Sequence, residues 1–409
     1  MLLPTTTYRA TAFVEAARQL GVDLTVASET PSTMETANPQ GLLTLDFQFP
    51  ERAANLVRNF AKKTAIDGVI GVDDDTAVVA AAIAERLNLK GNPPHAAVAA
   101  RDKHRQRELL KEAGVPIPQF AVHMLEENPL VIAQATKYPC VIKPLRLSAS
   151  RGVMRADDIQ GFVKARARLQ AILAQPDAAA CGEPSWQYLV EEFVPGYEVA
   201  LEGLVVNRRL HVLALFDKPD PLDGPFFEET IYVTPSTAPA PLQAAIRDCA
   251  DRAVRALGIV EGPIHAELRY NERGPWLIEL AARSIGGRCS AVLKFGEGGS
   301  GKGVTLEEII LRHALGMPIP SLQRERLAAG VMMIPIPGAG TLREVRGVDE
   351  AKRVPLVEDV QITAHSGERL VPFPEGSRYP GFIFARGETP AVVEAALRDA
   401  HHRLQFVLI

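Results

Sequence analysis

Between Pro263 and Arg283 the chain alternates with a period of two, and that alternation constrains the shape of the segment and the chemistry it can carry. PIHAELRY and PWLIELAA read as two strands joined by the turn stretch NERG. With Glu267 set opposite Glu279, alternation sends Ala266, Leu268, Tyr270, Trp276, Ile278 and Leu280 to one wholly apolar face. His265, Glu267 and Arg269 take the other face, with Leu277, Glu279 and Ala281 across from them. Like charges directly opposite in a ladder repel, so this register asks for a cation between the two glutamates. Hard divalent ions such as Mg²⁺ take oxygen ligands of this kind, usually one or two carboxylates plus substrate phosphates. The same pattern also fits two solvated glutamates, one satisfied by Arg269 or Arg283. The segment alone leaves both readings open.

A chain of 409 residues exceeds one ordinary core, which implies two or three domains. Its 47% hydrophobic and 23% charged residues describe a soluble globular protein outside the disordered regime. A net charge of −4 gives no electrostatic case for nucleic acid or an anionic membrane as partner. Cys140, Cys181, Cys249 and Cys289 are scattered, without CxxC or a histidine at metal-ligand spacing, so a reduced, cytoplasmic protein is expected, with no zinc pattern. No apolar run approaches the length of a membrane span. The start lacks the basic and long apolar stretches of a signal peptide and reads instead as a clipped strand, a Thr-rich loop and an amphipathic helix.

Residues 1–100 alternate strand and helix: LTVAS, then ERAANLVRNFAKKTA, then DGVIGV, then AVVAAAIAERLNL. This is the rhythm of a parallel α/β sheet. Ligands bind such sheets beyond the carboxyl ends of strands, where Asp73, Asp74 and Asp75 fall. N-capping of the next helix is the plainer role for them and the favoured one. RDKHRQRELLKEAG is a helix closed by Gly114, and VPIPQ marks passage into a new unit. A long hairpin follows, turning at Asn207-Arg208, and KPDPLDGPFFEE, within 217–229, is an irregular loop of the kind that serves as a lid. After a helix and the carboxylate hairpin, short strands and the helix TPAVVEAALRDAHHRL complete the chain.

PCVIKPLRLSASRGV places Lys143 at the end of an apolar strand, where burying an ammonium is costly without an anion. The loop that follows, with Ser148, Ala149, Ser150 and Gly152, lets backbone N–H groups approach the same anion. A phosphate cradle and a snorkelling lysine before an ordinary turn are both consistent with it. In WQYLVEEFVPGYEVALEG a strand ends in two acids, bends at Pro195-Gly196 and resumes at Glu198. The bend exposes donors and acceptors suited to an adenine edge, and the carboxylate beyond suits two ribose hydroxyls; a solvated acidic hairpin is the alternative. GEGGSGKG (296–303) nearly matches the P-loop pattern, but Gly303 stands where the Mg²⁺-binding hydroxyl belongs, so a substrate-covering loop is the expectation.

Taken in order, the α/β start, Asp102-Lys103, VIKP with its small-residue loop, EEFVPGYE, and Glu267…Glu279-x-x-x-Arg283 resemble the ATP-grasp superfamily. FFEETIYVTPS, EGPIHAEL and ELAARSIGGR resemble its carboxylate–amine, dipeptide-synthetase branch. The resemblance implies an ATP-grasp fold: an N-terminal parallel α/β domain (1–100), then α+β subdomains that sandwich ATP (101–315, with 116–195 as a small lid), and a C-terminal subdomain (316–409). It implies that Lys103 and Lys143 hold the ATP phosphates under Ser148, Ser150 and Gly152, that Glu191, Glu192 and Val194 meet the adenine, and that Glu198 takes the ribose. Glu267 and Glu279 would ligate Mg²⁺ or Mn²⁺. Arg283 would face the transferred phosphoryl group, and Gly286, Gly287 and Arg288 the substrate carboxylate. His265 is a candidate base, and equally a structural histidine. Many members carry Asn two residues after the second glutamate; Ala281 stands there here, which leaves the number of metal ions open. The implied activity is an ATP-dependent ligase joining a small carboxylate to an amine through an acyl phosphate, with a carboxylase, a kinase and a non-catalytic ATP sensor as rivals. A homodimer is the default assembly.

Overall fold

The computed structural model describes residues 1–5, 7–32, 34–35, 37–296 and 303–409, and its largest element is one antiparallel sheet. The strand order is Gly274–Ala281, Gly262–Asn271, Tyr197–Val206, Arg209–Lys218, Ile231–Thr234, Ala328–Met333, Gly381–Gly387 and Val357–Ile362. Strands from both sides of residue 316 therefore share one sheet. Tyr197–Val206 is apolar almost throughout because it feeds two cores. Val199, Leu201 and Val205 pack under Ala240–Ala256, while Ala200 and Leu204 meet the layer that holds Ala10–Leu20 and Leu306–Ala314. Asn207 and Arg208 both have positive φ, 49° and 66°, the backbone that a two-residue hairpin turn requires.

A second antiparallel sheet, Phe120–Met124, Gln187–Glu192, Cys140–Pro144 and Met154–Ala156, stands apart from the first. Helices Pro129–Ala135 and Ile159–Leu173 cover it, burying Ile132, Phe162 and Leu169 against Ile142 and Tyr188. Asp158 caps the longer helix by accepting from Gly161 N–H at 2.7 Å. At the amino end Val26–Ser28 pairs in parallel with Leu42–Thr44, and Leu2 bridges Ala27 and Gly71, also in parallel. The strand expected at 67–72 shrinks to that one bridge, because Asp73 caps the helix Asp74–Leu87 immediately after it. The N-terminal α/β domain followed by α+β subdomains is the arrangement that the ATP-grasp resemblance implies. No helix among the described residues is long and apolar enough to cross a membrane.

The carboxylate hairpin sets Glu267 directly opposite Glu279, the pairing on which the sequence reading rests. One residue further it departs from simple alternation: Leu268 pairs with Leu277, leaving Ile278 as a bulge. The faces then exchange. Leu277, expected on the polar side, joins Leu268 in the core, and Ile278, expected in the core, lines a cavity. Trp276 lies across from Arg269. Contacts from other segments hold the bulge: Leu277 N–H donates to the Pro116 carbonyl at 2.9 Å, and the Arg107 guanidinium donates to the Ile278 carbonyl at 2.5 Å.

Candidate active site

The two sheets and the N-terminal domain together wall a cavity of about 620 Å³. Lys143 ends the strand Cys140–Pro144 inside it, with its ammonium 2.7 Å from Glu191 Oε2. Arg107 reaches Glu191 from the other side, Nε to Oε1 at 2.7 Å. Arg107 is 1% exposed, and Lys143 and Glu191 are 4% each, so water does not screen this trio. Burial raises the Glu191 carboxyl, but Arg107 and Lys143 outweigh it and hold it below the usual carboxylate range. Burial lowers Lys143 to about 8 even with Glu191 beside it. The small-residue loop follows with Ala149, Ser150 and Gly152 at φ of 53°, 53° and 75°. Ser148, Ala149 and Ser150 line the cavity, whereas Gly152 turns its N–H to the Pro374 carbonyl.

Lys103 heads the helix Lys103–Glu112, whose cap Asp102 accepts from His104 and Arg105 N–H. Its ammonium donates to the Leu147 carbonyl at 2.9 Å and lies 3.0 Å from Glu279 Oε1. Glu267 faces elsewhere, toward a group that local sequence pattern does not single out. Lys218 is buried at the end of Arg209–Lys218 with its ammonium 2.7 Å from Glu198, 2.6 Å from Glu229 and 3.4 Å from Glu267. One oxygen from each of these three carboxylates lies within 4.8 Å of the others. Burial alone would lower Lys218, but the three carboxylates raise it well above its ordinary value. Glu267 sits well below its ordinary value: burial raises it, and Lys218 and His265 more than offset that. Burial moves Glu229 up to about 7, against the pull of Lys218. Glu198, read as a ribose ligand, thus also holds a buried lysine. His265 Nε2 is 3.5 Å from Glu267, and its Nδ1 is 3.9 Å from the fully buried Glu202, whose carboxyl burial pushes well up.

Arg283 is anchored by a residue 209 positions away, Nε donating to Asp74 Oδ1 at 3.0 Å. Asp73 is the helix cap, with Thr76 completing a capping box, so the plain reading of the aspartates holds for Asp73 while Asp74 joins the site. Arg9, likewise silent in the sequence pattern, donates to Ser284 Oγ at 2.7 Å and to the Ile285 carbonyl at 2.6 Å; Glu202 accepts from Ile285 N–H at 2.9 Å. This clamp sets the backbone of Gly286 and Gly287, which line the cavity. Gly287 has φ of 56°, and a Cβ there would meet Met333 Sδ at 2.5 Å, so a side chain would be strained and would have to displace Met333. Arg288 lies behind the wall, its guanidinium over the rings of Tyr8 and Phe382 and bonded to Gln361. Glu191, Glu192 and Val194 line the cavity together, and Ala281 pairs with His265. The loop 217–229 is docked: Leu222 O accepts from Arg269 at 2.6 Å, and Asp223 O from Arg155 at 2.8 Å. Of the near P-loop only Gly296 and Gly303 are described; 297–302 lie outside the described residues.

Two carboxylates at one point of a ladder suit a divalent cation, although here Glu279 pairs with Lys103 and Glu267 with Lys218 and His265. Glu229 enlarges the acidic group on the Glu267 side. What the sequence offered for Lys218 and Glu229 was their place at the two ends of a Pro-rich loop that crosses the cavity.

Three family matches cover most of the chain: an ATP-grasp domain over residues 136–292, an L-amino acid ligase C-terminal domain 2 over 332–408, and an ATP-grasp N-terminal domain over 14–91. The structure is similar to that of an L-amino acid ligase from Bacillus licheniformis, with a TM-score of 0.80 and 26% identity, covering 100% of this chain and 98% of that one. The alanine–anticapsin ligase of Bacillus subtilis is 30% identical over 220 residues, 49% of this chain and 45% of that protein. Carnosine synthase 1 of Mus musculus is 27% identical over 290 residues, 66% of this chain and 35% of that protein. The chain therefore spans less than half the length of these two relatives.

Proposed function

This chain belongs to the ATP-grasp superfamily, in its L-amino acid ligase branch, and on that footing we propose that it joins the carboxylate of one small amino-acid-like substrate to the amine of another. ATP would be consumed to ADP and phosphate through an acyl phosphate. The observation that carries this reading is the content of one cavity: buried Lys103 and Lys143, the opposed pair Glu267 and Glu279, and Arg283 fixed by Asp74. The first step brings a carboxylate onto a phosphoryl group, two anions that repel. Lys103 and Lys143, both buried, would supply fixed positive charge at the phosphates. Glu267 and Glu279 would hold Mg²⁺, which would offset phosphate charge. Asp74 orients the Arg283 guanidinium toward the acceptor end, so its donors need no rearrangement as charge develops. Arg9 and Glu202 hold the backbone that leads to Gly286 and Gly287, where a substrate carboxylate would meet N–H groups. The docked loop 217–229 keeps water from the acyl phosphate.

The test is Mg²⁺-dependent release of ADP and phosphate from ATP against pooled amino acids, dicarboxylates and polyamines. Release that needs one carboxylate and one amine supports the ligase. Release of ADP without free phosphate on a single hydroxyl acceptor makes it a kinase, and release of both with bicarbonate a carboxylase. Bound ATP with no release from any pool would leave a nucleotide sensor.

A further inference from the structure

One stretch of the C-terminal region, 371–379, touches both the phosphate loop and the acceptor end of the cavity. Its Pro374 carbonyl accepts from Gly152 N–H at 2.9 Å. Next to it Glu375 takes a two-pronged ion pair from Arg168 of the lid helix Ile159–Leu173, Nε to Oε1 at 2.5 Å and Nη2 to Oε2 at 2.8 Å. The same guanidinium lies 4.7 Å from the Phe226 ring centroid, and Phe226 bridges Met154 of the lid sheet. Four residues on, the Tyr379 hydroxyl accepts from Glu229 N–H at 3.2 Å, and its carbonyl accepts from Thr363 Oγ1 at 3.0 Å. The Tyr379 ring sits 5.7 Å from Phe373. Ser377, Arg378 and Tyr379 line the cavity. Gly376 makes the joint short and stiff: its N–H donates to the Pro372 carbonyl at 2.9 Å, and a Cβ would run into the Val371 carbonyl.

We propose that Arg168 and Glu375 are a positioning pair that latches the nucleotide lid onto 371–379, so that lid closure and ordering of the acceptor end are one movement. The inference rests on the nucleotide site proposed above. A bidentate guanidinium–carboxylate pair specifies orientation as well as attraction. With side chains 42% and 31% exposed, this one is too wet to add much stability, which suits a contact that must open and close. Neither residue lines the cavity, so both act through the loop. Any ligand that needs the closed form binds more weakly in proportion to the loss of that form.

The experiment uses the full chain with Arg168→Glu, Glu375→Arg and the double swap. Two readouts are taken: hydrogen exchange of segments 148–155 and 376–382, and MgAMP-PNP affinity by calorimetry. Each single reversal is expected to speed exchange in both segments, leave the buried helix segment 246–254 unchanged, and weaken MgAMP-PNP by about two- to fivefold. The double swap is expected to restore both readouts. Faster exchange in only one segment or in neither, or impaired single variants that the swap fails to rescue, would overturn the latch. Acceleration that reaches 246–254 would also overturn it, as general destabilisation. If the unmodified chain binds no MgAMP-PNP, the nucleotide reading fails, while exchange in the ligand-free chain still decides the latch.

Discussion

Replacing Glu191 by Gln tests the buried charge trio that holds Lys143. The carboxylate takes one bond from Arg107 Nε at 2.7 Å, a weaker one from the same guanidinium at 3.3 Å, and one from Lys143 at 2.7 Å. An amide keeps a single acceptor and turns an N–H toward one of the cations. With Arg107 1% and Lys143 4% exposed, water cannot replace the lost partner. Removing one member of a buried charge pair costs about 3–5 kcal/mol, a large part of the ~5–15 kcal/mol that holds an ordinary domain. The variant also changes titration. Burial already lowers Lys143 to about 8 from 10.5, and loss of the anion lowers it further. Since the unfolded chain binds the extra proton between about 8 and 10.5, the burial cost of this ammonium is full below pH 8 and is relieved as pH rises through that window. Nucleotide binding runs the other way, because phosphates need the charged form. MgATP affinity should fall as pH rises through about 8 in the unmodified chain, and at lower pH in the variant. Urea unfolding at 25 °C and MgATP calorimetry between pH 6 and 9 measure both effects. A change in unfolding free energy below about 0.5 kcal/mol, together with an unshifted binding profile, would refute the electrostatic account. Adding Arg107→Met should recover part of the lost stability by removing one stranded cation.

Glu279→Gln should abolish turnover while the melting temperature stays within a few degrees, and full activity in this variant would sink the metal assignment. Asp74→Asn weakens the hold on Arg283 and should lower kcat about tenfold (~1.4 kcal/mol) with the KM for ATP unchanged; an unaltered kcat would show that Arg283 orients without it. Gly287→Ala forces a side chain into positive φ against Met333, so a several-fold higher acceptor KM is expected, partly reversed by adding Met333→Ala. Lys143→Ala should cost ATP binding and Lys302→Ala should not, as direct titration of the two variants with MgATP will show.

The ordered motifs that resemble the ATP-grasp superfamily point to the fold, and several residues they single out line one cavity. A period of two over Pro263–Arg283 needs no partner to be read, so the two strands and their carboxylates are legible in the residues alone, whereas the register that opposes Glu267 to Glu279 comes with the bulge. Lys143 and its small-residue loop are legible for the same reason, since a charged residue closing an apolar run announces itself locally. The bulge at Ile278 is not. It depends on the Pro116 carbonyl and the Arg107 guanidinium, which reach the hairpin from other parts of the chain. Asp73 and Asp74 show the limit most sharply: one residue of offset on a helix end leaves the first as a cap and turns the second onto Arg283, 209 positions on. Lys218 likewise gathers Glu198, Glu229 and Glu267 from segments that only the sheet order brings side by side. Periodicity and turn chemistry are properties of a segment, so the sequence alone determined them. Which charges meet across the cavity depends on how strands and domains pack, and tertiary structure alone decided it.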